Sequence, residues 1–364
     1  MSSTSPTSTS PTPPTSTSPT STAATVSAAS AASAASWDVL RPPRAEGRVF
    51  LVTGGNAGIG YFVAEQLSAS GATVVLGCRD PAKAEAATDS IRVRVPGARI
   101  RAVRLDLADL SSLDAAVASL RVPRLDAVVH NAGVALDHPP RRETADGHEL
   151  MFGTNHLGHF ALTARLMPLL SAAPAARVVT VGSFAAKSER LDLDDLQSRH
   201  DYRPKRTYGR SKLAQMHFGL ELDRRLRALG STTRSVVVHP GGALDSLTPS
   251  RPPVHVRATA ARLYTWPAAL LLQGKHAGAW PAVRAVLDPE VRGGQLWGPR
   301  RFALRGAPHP EPVWSHLTDT DVASRLWDAT RDLCGVDPVG SLTPGSGLPG
   351  SGLPRAGEGD TSGG

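Results

Sequence analysis

Tyr208 and Lys212 stand four residues apart in the run Thr207-Tyr208-Gly209-Arg210-Ser211-Lys212. Apolar residues at Leu213, Met216, Leu220, Leu222, Leu226 and Leu229 give the downstream stretch a helical spacing, with Gly230 as its stop. Residues i and i+4 of a helix share a face with Cβ atoms roughly 6 Å apart, so this pattern sets an ammonium beside a phenol. A free tyrosine titrates near ~10 and exchanges protons poorly at neutral pH. A neighbouring positive charge favours the phenolate, each unit of lowering taking about 1.4 kcal/mol of differential interaction. The pair is a candidate acid–base centre, yet the same spacing occurs on ordinary solvated helices, and the surrounding chain must decide. Tyr202 is a rival phenol; four residues on lies Arg206, whose guanidinium is a poor titrating relay.

The elements that would position such a pair are legible upstream. Val49-Phe50-Leu51-Val52 reads as a strand buried on both faces and runs into Thr53-Gly54-Gly55-Asn56-Ala57-Gly58-Ile59-Gly60, then into a helical stretch from Tyr61 to Ser70. A glycine-rich loop alone is commonplace. Between strand and helix it becomes a nucleotide site, because glycines admit a pyrophosphate close to the backbone at the positive helix end. A second strand, Ala72 to Cys78, ends at Arg79, 19 residues after Gly60. An acid at that place binds a free ribose 2′-hydroxyl, whereas an arginine pairs with a 2′-phosphate. The reading favours NADP(H) over NAD(H), with Asp80 capping a helix that begins around Pro81; a solvated surface arginine is the plainer account of Arg79.

Strand and helix go on alternating: a helix over 82–93, a strand from Ile100 to Leu105, a helix over 109–120, a strand from Leu125 to His130, a long helix over 148–171 carrying Asn155, and strands at Arg177–Val181 and Ser235–Val238. Repeated βα units predict an α/β fold, a single-domain doubly wound Rossmann fold with a parallel sheet, over residues 45–335. Gly54–Gly60, Arg79, Asp106, Asn131, Ser183 and Pro240 each fall just past a strand. Ligands of such sheets bind at the carboxyl ends of the strands, and all of these residues converge there.

Composition bounds the remaining possibilities. Residues 1–36 are almost entirely Ser, Thr, Pro and Ala without a charged side chain, and residues 337–364 are rich in Gly, Pro and Ser; both are expected to be disordered tails. The N-terminal one lacks the basic start and apolar core of a secretory signal. A net charge of +8 invites a nucleic-acid reading, but the arginines are scattered and aromatics are not interleaved with them, so no nucleic-acid partner is expected. Cys78 and Cys334 form neither a disulfide framework nor a metal cluster; no metal is expected, and a reducing, cytoplasmic location suits them. No apolar run reaches the ~20 residues of a membrane span.

Together these segments resemble the short-chain dehydrogenase/reductase family: Thr-Gly-x-x-x-Gly-x-Gly at 53–60, Asp106-Leu107, Asn131-Ala132-Gly133, Asn155, Ser183, Tyr208-x-x-x-Lys212 and Pro240-Gly241. Order and spacing fit over roughly 47–330. Leu76-Gly77-Cys78-Arg79-Asp80, Asn155-His156-Leu157-Gly158-His159-Phe160 and the long connection 184–207 are most similar to the retinol-dehydrogenase-like subgroup. The resemblance implies a catalytic tetrad. Ser183 would hold the substrate oxygen, Tyr208 would pass the proton, Lys212 would lower the Tyr208 pKa and bind the nicotinamide ribose, and Asn155 would hold a relay water. It implies cofactor contacts at Gly54, Asn56, Gly58, Ile59, Gly60, Arg79, Asp106, Leu107, Asn131, Ala132, Gly133, Tyr208, Lys212, Pro240 and Gly241. A small carbonyl or alcohol substrate, lipophilic in character, is the expected partner. A homodimer or homotetramer paired through the helices bearing Asn155 and Tyr208 is also implied.

Departures from the pattern matter. Relatives carry a threonine a few residues past Pro-Gly that touches the cofactor, whereas Asp245 stands near that place here; a carboxylate beside a pyrophosphate is repulsive, so Asp245 is expected to point away or Ser246 to substitute. Ala57 occupies a position that is basic in some NADP-dependent relatives. Arg262 to Gln273, with Tyr264 and Trp266, carries an apolar stripe that either walls a lipophilic pocket, packs as core or meets a second subunit. Gly293–Pro299 is similar to the family's last strand, and a helix over 320–333 closes the domain. A catalytically silent NADP(H)-binding sensor or scaffold is the competing reading; such proteins tend to lose the tyrosine or lysine kept here.

Overall fold

The computed structural model describes residue 1, residues 37–256 and residues 266–342. Residues 2–36, 257–265 (with Tyr264) and 343–364, which hold most of both expected tails and part of the apolar stripe, lie outside the described residues.

Short runs of Val, Ile, Leu and Ala form strands because their branched side chains pack on a pleated surface covered from both sides. These are β1 (Val49–Thr53), β2 (Thr73–Cys78), β4 (Ala127–His130), β5 (Arg177–Val181) and β6 (Arg234–Val238), whereas the edge strand β3 (Arg99–Arg104) buries Ile100 and Val103 and leaves Arg99, Ala102 and Arg104 exposed. Two further strands, β9 (Leu296–Arg301) and β10 (Arg305–Glu311), complete one eight-stranded sheet in the order β10-β9-β6-β5-β4-β1-β2-β3. A separate pair, β7 (Ala243–Leu244) and β8 (Gln273–Gly274), runs parallel beside it. In the large sheet β1 pairs parallel with both β2 and β4. Strand order reverses at β1, and a crevice opens at the carboxyl ends of the strands flanking such a point.

The large sheet is parallel as expected except at its edge, where β10 pairs antiparallel with β9. The two strands meet in a tight turn in which Leu304 N donates to Arg301 O at 3.0 Å. Phe302 and Ala303 occupy its centre at φ 56° and 58°. Hairpin turns of this hand are usually marked by Asn-Gly or Gly residues, and here neither central residue announces it.

Helices α1 (Gly58–Ala69), α2 (Pro81–Arg94) and α8 (Trp280–Leu287) pack on one sheet face; α3 (Leu113–Ala118), α5 (Gly158–Ser171) and α6 (Pro204–Ala228) pack on the other. The expected long helix at 148–171 is interrupted. One turn, α4 (Leu150–Phe152), leads into a π-turn at Gly153–Leu157 before α5 begins. Asn155 sits in the middle of that turn. Short α7 (Lys275–Gly278) follows β8, and α9 (Thr320–Cys334) closes the fold. Asp319 starts α9 by accepting the N–H groups of Asp321 and Val322, and Gly335 ends it at φ 64°.

Trp327 of α9 lies 4.9 Å from the Phe160 ring and 5.8 Å from Phe218, with the Arg225 guanidinium 4.5 Å above it. Helix α9 therefore covers the outer side of α5 and α6, the surface expected to receive a second subunit. Val336, Val339 and Leu342 pack onto the same core, so the packed chain continues beyond the expected boundary at 335.

Candidate active site

The reversal at β1 is braced by a single hydroxyl. Thr53 Oγ1 accepts the N–H groups of Asn131 and Ala132, each at 3.0 Å, and Asn131 Nδ2 donates to Thr53 O at 3.0 Å. The ends of β1 and β4 are thus locked side by side. A Cβ on Gly60 would collide with Asn131 Nδ2 and lie 2.5 Å from Gly54 O, so α1 can start this close only with glycine there. Gly58 differs: its φ is 59°, and a Cβ would meet nothing within 4 Å. The first turn of α1 has no side-chain cap at Ala57, which leaves its N–H groups facing an open space suited to an anion.

That space is a cleft of about 600 Å³. Of the residues expected to touch the cofactor, Gly54, Asn56, Gly58, Ile59, Arg79, Asp106, Leu107, Asn131, Ala132, Gly133 and Tyr208 line it. Gly60, Lys212, Pro240 and Gly241 do not; Gly60 lies behind the wall it allows to form, Pro240 O accepts from the Gln273 amide at 3.0 Å, and Gly241 lies against Leu304 and Pro299. The open glycine turn, bare helix end and basic far end fit a phosphate-bearing dinucleotide. Two cationic residues of the wall were missed in the sequence, Lys83 and Lys275. Lys83 follows Arg79 by four residues, a spacing that would have shown it. Asp80 caps α2 by accepting the Lys83 N–H at 3.2 Å, and its carboxylate lies 3.6 Å from Lys83 Nζ. Asp106 accepts the Ala108 N–H at 3.0 Å, which shapes the turn after β3 on the cleft wall.

The chemistry-bearing residues meet where β5 and α6 converge. Ser183 follows β5 and its hydroxyl accepts the Ala185 N–H at 3.2 Å. Burial pushes the Tyr208 phenol up from its ordinary value, and the Ser183 hydroxyl beside it pulls it down. Lys212 is fully enclosed, and burial lowers its ammonium to about 7. Its Nζ donates to Val181 O at 2.6 Å and to Gln215 Oε1 at 2.5 Å. The lysine thus sits one turn from the tyrosine on α6 but spends its hydrogen bonds behind it, because an enclosed ammonium must find acceptors.

Asn155 is enclosed too. Its Oδ1 accepts the Val134 N–H at 2.8 Å, and its Nδ2 donates to Val134 O at 3.0 Å and to Ser211 Oγ at 2.9 Å. Both amide donors are used on protein partners, so the side chain clamps the cleft wall at Val134 to α6. Behind it, His159 Nδ1 lies 2.9 Å from Asn155 O and its Nε2 lies 3.0 Å from Thr53 Oγ1. Thr53 already accepts two N–H groups, which fills both lone pairs of its oxygen. Its one hydrogen faces two acceptors, Val129 O at 3.2 Å and His159 Nε2, while on the other side of the ring Gln215 Nε2 lies 3.1 Å from Nδ1. Burial holds this imidazole neutral, its pKa lowered to about 3. Gln215 and His159 were missed in the sequence; each follows a predicted site residue at helical spacing and resembles any core residue.

Near the second strand pair, Asp245 is half exposed and pairs with Lys275 Nζ at 2.8 Å. The carboxylate expected to turn away from the cofactor site is thus held by a lysine of the cleft wall. Among the described residues, no helix is long and apolar enough to cross a membrane, and Cys78 and Cys334 are both free.

Comparison with known proteins agrees with this architecture. The family model for short chain dehydrogenase matches residues 48–194. Mouse "Retinol dehydrogenase 14" is 33% identical over 309 residues, covering 81% of this chain and 88% of the relative. Mouse "Polyprenol dehydrogenase" is 38% identical over 292 residues, covering 78% and 83%. A crystal structure of an uncharacterized protein from Mycobacterium paratuberculosis superposes with a TM-score of 0.67 at 33% identity, covering 83% of this chain and 98% of that one. The chain belongs to the short-chain dehydrogenase/reductase family, in its retinol-dehydrogenase-like subgroup, and is an oxidoreductase.

Proposed function

We propose that the protein interconverts an alcohol and a carbonyl with NADP(H), using Tyr208 as general acid and base. The observation that carries this reading is the position of Tyr208 on the wall of the same cleft as the Gly54–Ile59 turn and Arg79. Bound there, a nicotinamide supplies or accepts the hydride. The side chains do the rest. Ser183 holds the substrate oxygen beside the phenol. Tyr208 gives its proton to the forming alkoxide, or takes one from the alcohol. Lys212 supplies the positive charge that favours the phenolate once its ammonium turns toward the cleft, and Asn155 fixes the wall and α6 in register.

Arg79 and Lys83 supply two cationic groups where a 2′-phosphate would lie, which supports NADP(H) over NAD(H). The named substrates of the relatives, retinol and polyprenol, support a lipophilic alcohol or aldehyde. Two free cysteines support a reducing, cytoplasmic setting. With α9 covering the outer side of α5 and α6, an oligomer would use another surface.

Replacement of Tyr208 by Phe tests the reading. NADPH should still bind, while turnover of aldehydes such as retinal falls by at least about a thousand-fold. Near-normal turnover in that variant removes Tyr208 as the proton carrier.

A further inference from the structure

Lys275 belongs to no motif of the sequence, yet its side chain stands on the cleft wall with Gly54, Gly58 and Tyr208. The segment that carries it is built with care. Its backbone N–H donates to Thr248 Oγ1 at 2.9 Å, and that hydroxyl donates in turn to Leu244 O at 2.8 Å. Gln273, two residues earlier, donates through its amide to Pro240 O at 3.0 Å and accepts the Gly306 N–H at 2.9 Å. One residue later, His276 O accepts from Gln66 Nε2 at 2.9 Å. Gln66 lies on α1, so the lysine is tied to the same helix whose bare N-terminus faces the cleft.

Charge balance explains what the lysine is for. A dinucleotide pyrophosphate brings two negative charges to the glycine turn, where Ala57 supplies none in return and α1 offers only N–H groups. Arg79 and Lys83 stand past β2, at the adenosine end. Asp245, more than half exposed, is a carboxylate in the same neighbourhood, and its 2.8 Å pair with Lys275 balances the lysine charge in the cleft as it stands.

We propose that Lys275 is the side-chain cation for the pyrophosphate in this cleft, and that Asp245 is its resident counter-ion, exchanged for phosphate oxygens when the dinucleotide enters. The pair thereby takes over the place that the family gives to a threonine. This rests on the dinucleotide-binding reading above.

The test is equilibrium binding to the full chain, read by ligand fluorescence for NADPH and NADH and by calorimetry for ADP-ribose, which keeps the pyrophosphate but lacks the nicotinamide. In Lys275→Met all three ligands should bind about ten-fold more weakly and with a shallower salt dependence. Lys275→Arg should restore most of the affinity, which separates lost charge from misfolding. Asp245→Asn should tighten all three several-fold. Unchanged affinities in Lys275→Met overturn the proposal; so does a loss confined to NADPH, which would place the lysine at the 2′-phosphate, or one that spares ADP-ribose, which would place it at the nicotinamide. Weaker binding in Asp245→Asn overturns the exchange. If the unaltered protein binds none of the three, the dinucleotide reading itself fails.

Discussion

The Lys212 ammonium lies 2.5 Å from the side-chain oxygen of Gln215, three residues further along the same helix. An amide thus holds the charge that is expected to act on Tyr208, from the side opposite the cleft. Removing that acceptor with Gln215→Leu leaves Val181 O to carry the ammonium and disfavours its charged form further. The charged form is lost as pH rises through its pKa. The alkaline limb of the kcat/KM profile should therefore move to lower pH in this variant, while NADPH affinity changes little. An unshifted profile would assign Gln215 to packing alone.

Stability should report the same lysine. Burial lowers Lys212 from 10.5 to about 7, so between those values the unfolded chain binds more protons than the folded one. Folding free energy from this group improves as pH rises through that window, and the penalty for enclosing the charge is fully present below it. Lys212→Met, which lacks the charge, should melt higher than the unaltered protein at pH 6, with the difference shrinking toward pH 10. A pH-independent difference in melting temperature would contradict this. Turnover should be lost at every pH.

Two glycines of the turn should fail in different ways. Gly60→Ala forces a methyl into Asn131 and the Gly54 carbonyl, and is expected to cost about 2 kcal/mol or more of stability, read by urea unfolding. Gly58→Ala has room in the empty protein and carries only the strain of a positive φ, about 1 kcal/mol. Its methyl faces the cleft, so it should fold and yet bind NADPH poorly. Tight NADPH binding by Gly58→Ala would mean that the phosphates lie elsewhere.

Arg79 and Lys83 should act on one cofactor and not the other. Arg79→Ala is expected to weaken NADPH by about ten-fold and leave NADH nearly unchanged, with Lys83→Ala adding a smaller loss of the same kind. Equal losses for both cofactors would remove the 2′-phosphate from this end of the cleft.

Trp327 joins α9 to the helices that bear the site. Trp327→Ala removes its contacts with Phe160, Phe218 and Arg225 and should cost about 3–5 kcal/mol in urea unfolding. A loss below about 1 kcal/mol would show that α9 is dispensable to the core.

The βα alternation could be read because strands covered on both faces must be apolar throughout, and because the polar residue at each strand end breaks the run. The Tyr208–Lys212 spacing and the Gly54–Gly60 turn were visible for a similar reason, both being local. What escaped the sequence was long-range or unmarked. Phe302 and Ala303 turn β9 into β10 without glycine. Lys275 reaches the cleft only after β8 pairs with β7, a contact between segments far apart in the chain. Gln215 and His159 occupy ordinary helix-interior positions, and their roles exist only through Lys212 and Thr53. Leu342 packs within a stretch whose composition resembles its exposed neighbours.

The π-turn at Gly153–Leu157 amounts to one residue more than an α-helix needs there, so the chain after it is set about 100° out of phase with the chain before it. Excising a single residue from this stretch would yield a longer and more regular helix. It would also carry either Asn155 away from Val134 and Ser211 or His159 away from Thr53. The irregularity is a surplus that this enzyme family member cannot lose by simplification, and it makes a one-residue deletion here more damaging than many substitutions nearby.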